Sequence, residues 1–123
     1  MSTGLKVKLI AKTGDTVKYA SGNDSALSFH AKMDMAGVIP LPSGYVYTSN
    51  SEVKNGLGGV FGLYFNHDGD ITDYKQLLNG TSKNCGGGVT PWNTWVSCEE
   101  VENGQCWQVN SFCCYPCVEM ISC

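Results

Sequence analysis

The chain is expected to be all-β, made of short antiparallel strands that repeat about every 48 residues. Two observations point to this class. Apolar and β-branched runs are short and separated by Gly, Asn, Asp and Pro, and no 3.6-residue periodicity is sustained over three helical turns. Two stretches also align with each other: Tyr47-Thr-Ser-Asn-Ser-Glu-Val53 lies over Trp95-Val-Ser-Cys-Glu-Glu-Val101 at an offset of 48 residues. After each comes a glycine-containing gap and a further strand ending in Asn, at Asn66 and Asn110.

In chain order, the patterning predicts strands over residues 6–11, 37–41, 45–50, 62–66, 72–77, 94–98 and 106–109. His67-Asp-Gly-Asp70 joins two strands as a hairpin turn, since Asp-Gly supplies the positive φ such turns need. It lacks the Gly at the sixth and the Glu at the twelfth position of an EF-hand loop. An all-β period in the forties matches one blade of a β-propeller. The 123 residues hold about two to three such blades, a partial propeller with an incomplete ring. Open sheet edges then favour self-association.

Composition narrows the function. Lys and Arg number 8 against 11 Asp and Glu, a net charge of −3. No basic cluster is available for a nucleic-acid backbone or an anionic membrane, so neither is an expected partner. No apolar run nears a membrane span, and the first residues carry no signal-peptide core. The location in the cell is left open. There is no G-x-S-x-G elbow, and no Walker lysine follows the glycine cluster. His30 and His67 read as isolated, and Trp92, Trp95 and Trp107 as core aromatics.

The chemistry concentrates in Asn84-Cys-Gly-Gly-Gly-Val-Thr-Pro-Trp-Asn-Thr-Trp-Val-Ser-Cys-Glu-Glu100. Cys85, a soft ligand, sits on what reads as a three-glycine loop, and a strand behind the Thr-Pro-Trp turn ends in Glu99 and Glu100. Glycines let backbone approach an ion closely, and carboxylates are hard oxygen ligands. A glycine-rich turn before a strand with a solvated acidic end is the other reading of the same residues. Adjacent strand residues face opposite ways, so Glu99 and Glu100 are not both expected at one ion. The 48-residue offset matches Glu100 to Glu52, which places the two at equivalent points of successive blades. Cys98, beside Trp95, reads as a small buried hydrophobe.

This segment resembles the signature of the PhoX-type alkaline phosphatases, Asn-Cys-(Ala/Gly)-Gly-Gly-x-Thr-Pro-Trp-Gly-Thr-Trp-(Leu/Val)-(Thr/Ser)-Cys-Glu-Glu, departing clearly only at Asn93. The likeness extends through Tyr45–Glu52, Gly58-Gly-Val60, Phe65–Gly69 and Tyr74–Thr81, about residues 30–110. It implies a six-bladed propeller that hydrolyses phosphomonoesters at an iron–calcium centre. Carried over by motif position, Cys85 is the iron ligand, and Glu52 with Glu100, Glu99 or both supplies oxygens. Thiolate suits iron and carboxylate suits calcium. Such ions neutralise phosphate oxygens and lower the pKa of a bound water. Ser51 replaces a histidine found in some members.

Residues 1–110 are thus read as a partial PhoX-like propeller and residues 111–123 as a cysteine-rich tail. Five of the seven cysteines crowd the last 18 residues. The tail is expected to be disordered. It reads as sequence run past an exon boundary or frame-shifted, or as the thiol-rich end of a short paralogue. Cys114-Tyr-Pro-Cys117 is formally a redox or zinc pair, without the context either needs. The expectation is an N-terminal piece of a PhoX-like phosphatase, inactive alone. The alternatives are a non-enzymatic propeller piece and a small thiol-rich binding protein.

Overall fold

The computed structural model describes residues 3–112 and 117–121. Among them there is no helix, and the strands form three antiparallel sheets, none closed into a barrel. A hairpin comes first, β1 (Thr16–Lys18) with β2 (Asp24–Ser28). A four-stranded meander follows: β3 (Met33–Leu41), β4 (Gly44–Ser51), β5 (Gly58–Asn66) and β6 (Ile71–Thr81). The second meander is β7 (Asn84–Val89), β8 (Trp95–Glu99), β9 (Cys106–Asn110) and β10 (Cys117–Ile121).

The sequence repeat maps onto this architecture. Tyr47 lies on β4 and Trp95 on β8, each the second strand of its sheet, while Asn66 and Asn110 end the two third strands. Each meander has the strand count and order of a propeller blade, as a partial propeller requires.

Alternation along β5 explains how the sheets stack. Val60 and Tyr64 turn to one face and join Ile39, Val46, Leu77, Leu78, Trp95 and Val109 in a core between the two meanders. Phe61 and Leu63 turn to the other face and meet Val17, Phe29 and Tyr74 beneath the β1–β2 hairpin. Gly37 makes the first contact tight: a Cβ there would come within 2.8 Å of both the Trp95 ring and Val89.

The turn at His67–Asp70 forms as expected. The Asn66 Oδ1 accepts from the N–H groups of Asp68 (3.0 Å) and Asp70 (2.9 Å), and Gly69 takes φ 83°.

Several expectations are corrected. Residues 6–11 belong to no sheet, and the side chains of residues 5–10 are exposed. Their alternation is that of a strand, but alternation alone does not supply a neighbour. The glycine run is not a loop: Asn84–Val89 is strand β7, paired with β8. Glycines conceal it because they show no apolar pattern, and Gly87 is needed since a Cβ there would collide with the Val96 carbonyl. Trp92 is 65% exposed on its turn, whereas Trp95 is buried and Trp107 packs on the core. Within the expected tail, Cys117–Ile121 is strand β10, paired along its length with β9. Cys113, Cys114 and Cys123, and with them the C-x-x-C reading, lie outside the described residues.

Candidate functional site

The motif residues divide into those that hold the backbone and those left at the surface. Asn50, fully buried on β4, donates from Nδ2 to the carbonyls of Cys85 (2.7 Å) and Gly86 (3.0 Å). Its Oδ1 accepts the Trp95 indole N–H at 2.9 Å. One amide therefore ties the start of β7 to the first meander and orients the core tryptophan. Asn84, also fully buried, accepts from the Thr81 hydroxyl at 2.6 Å and donates to Ser97 Oγ at 2.9 Å. These two asparagines fix the backbone on which Cys85 stands.

Cys85 itself is a half-buried, free thiol. Its pKa is pushed up to about 11, first by a hydrogen bond to the Asp34 carboxylate, then by desolvation and by the charges of Asp34, Glu100 and Glu52. Every one of these causes favours the neutral thiol. These charges come from both meanders, Asp34 and Glu52 from the first and Glu100 from the second.

Their positions follow the repeat. Asp34 and Cys85 are each the second residue of the first strand in their sheet, inside the register shifts Met33/Ala36 and Asn84/Gly87. Glu52 and Glu100 each directly follow the second strand. Glu52 is half-buried, while Glu100 is exposed and lies 3.5 Å from Lys83 Nζ. Sequence reasoning named Cys85, Glu52 and Glu100 but missed Asp34, whose counterpart lies 51 residues on, outside the 48-residue alignment.

Glu99 is engaged elsewhere. Its carboxylate accepts from the N–H groups of Ser82 (2.7 Å), Gln105 (3.2 Å) and the Trp107 indole (3.3 Å). It latches the β8–β9 hairpin to the loop before β7. Cys98 is not a lone buried hydrophobe, because it forms a disulfide with Cys106 directly across that hairpin.

His30 is not isolated either. Its backbone N–H donates to the Tyr74 hydroxyl (3.0 Å), which is also 2.9 Å from Nδ1, and Nε2 lies 2.8 Å from Ser49 Oγ. The ring stacks on Phe61 at 4.4 Å and is 6% exposed. The row of Ser49, His30 and Tyr74 is buried throughout. It is a satisfied polar seam in an aromatic core.

Residues 62–114 match the family model described as alkaline phosphatase PhoX. That segment, less than half of the chain, is similar to the PhoX alkaline phosphatases. It contains Cys85, Glu99 and Glu100, whereas Asp34 and Glu52 lie upstream of it. No curated protein and no solved structure matches the chain. Against the metal dependence of PhoX proteins, the donor set is chemically apt, one thiol with carboxylates. Among the described residues, however, no group of three or more His, Cys, Asp or Glu stands close enough to hold an ion.

Proposed function

We propose that this chain is a partial PhoX-like module of a metal-dependent phosphomonoester hydrolase. In this reading Cys85, Glu52 and Glu100 contribute ligands to an iron–calcium centre, and Asp34 joins them. What supports it is that Cys85 feels the charges of Asp34, Glu52 and Glu100, that these residues stand at matching points of two successive sheets, and that Cys85 and Glu100 lie in a segment matching the PhoX family model. A cation there would relieve the mutual repulsion of these carboxylates, and it would hold Cys85 as a thiolate. Glu99 is left out because its oxygens already serve three N–H donors. A full shell would need more donors than these, so in this reading the chain by itself is expected to be a poor phosphatase.

A second reading, a non-enzymatic propeller piece with solvated acids, is favoured by the lack of a three-ligand group among the described residues. Elemental analysis of the purified chain separates the two. Iron with calcium retained by the wild type and lost in Cys85→Ser supports the metal module. Metal-free protein after loading with both ions supports the second reading.

A further inference from the structure

Two unsatisfied strand surfaces lie in one chain. Residues 5–10 read Leu-Lys-Val-Lys-Leu-Ile, and Leu5, Val7 and Leu9 are 66%, 81% and 78% exposed. Among the described residues, no backbone hydrogen bond tethers this segment to another. At the far end, β10 is outermost in its sheet and, among the described residues, pairs with β9 alone. Val118 is 37% and Met120 58% exposed there. An unpaired strand edge is a template for a further strand.

We propose that residues 5–10 of one copy add as a strand to the free edge of β10 in a second copy. Side-chain pattern and charge both select this pairing. Val118 and Met120 share one face of β10 and Glu119 takes the other. Placing Lys8 across from Glu119 puts Val7 and Leu9 across from Met120 and Val118. A slip of one residue would set the lysine against an apolar neighbour and Val7 against the carboxylate, so the face that meets β10 is specified.

A second copy is the occupant because this chain carries both halves of the contact, on different sheets. Just behind the segment, Ala11 packs against the cluster on the β3–β6 sheet, whereas β10 is outermost in the other meander. Exchange between two copies makes the contact twice and closes it by two-fold symmetry.

Sedimentation equilibrium of the full chain over a range of concentrations provides the test, with two exposed charge reversals. The wild type is expected to be a concentration-dependent dimer. Lys8→Glu and Glu119→Lys should each weaken it about tenfold by setting like charges opposite one another, and the double variant should restore it. Carbodiimide coupling of mixed 14N- and 15N-labelled protein should join Lys8 and Glu119 in mixed-label peptides. A monomer at every concentration, a dimer indifferent to the reversals, or cross-links confined to same-label peptides would overturn the proposal.

Discussion

Lys32 and Lys83 are counterparts in successive sheets. Each takes a left-handed backbone conformation, φ 49° and 50°, one residue ahead of the first strand. The Lys32 carbonyl accepts the Glu52 N–H, and the Lys83 carbonyl accepts the Glu100 N–H, both at 2.9 Å. One backbone device is thus used twice to seat the two candidate acids, and in both cases the next residue but one is the other member of the site, Asp34 or Cys85.

Left-handed φ costs an L side chain, whereas glycine adopts it freely. Lys83→Gly should therefore be neutral or stabilise the fold by about 0.5 kcal/mol, the exposed contact with Glu100 contributing little. Lys83→Pro, which fixes φ near −65° and removes the N–H that Val53 O accepts at 2.8 Å, should cost about 3 kcal/mol or more. Urea unfolding midpoints of the two variants check both signs.

Asn50 is the hub of the motif. Asn50→Ala should remove about 3 kcal/mol of stability, because it leaves two carbonyls and an indole N–H without their partner in the core. Tryptophan fluorescence in a denaturant titration reads both the loss and the freed Trp95 ring.

Burial holds the His30 pKa down to about 4, against 6.5 for the free side chain. The folded-state value lies below the unfolded one, so the unfolded chain takes up the proton first. Stability is complete above pH 6.5 and falls as pH drops through the window to about 4, by about 3 kcal/mol in total. Thermal unfolding followed across that window should show the decline in the wild type. In His30→Gln the decline should be largely absent, on a lower baseline.

Much of the fold was legible in the sequence, for reasons that differ along the chain. Strands β3 to β6 and β8 to β9 announced themselves through apolar runs bounded by turns. Strand β7 did not, because its glycines have no side chains to pattern, and β1 and β2 are too short and polar. Asn93, where the resembling family carries Gly, stands at φ 63°, a conformation that Asn tolerates better than most residues. The turn therefore survives the one clear departure from the signature. Of the proposed site, Cys85, Glu52 and Glu100 were named from motif and repeat. Asp34 was not, since the first strands are spaced differently from the second, and only the paired register shifts expose it.

The account's centre is the thiol of Cys85 standing among Asp34, Glu52 and Glu100. Its alkylation rate against pH, followed by peptide mass spectrometry, reads that arrangement directly. The wild type should titrate near 11, and the combined Asp34→Asn, Glu52→Gln and Glu100→Gln variant should fall back toward 9, the ordinary value of a thiol. A profile that these three changes leave unmoved would contradict it.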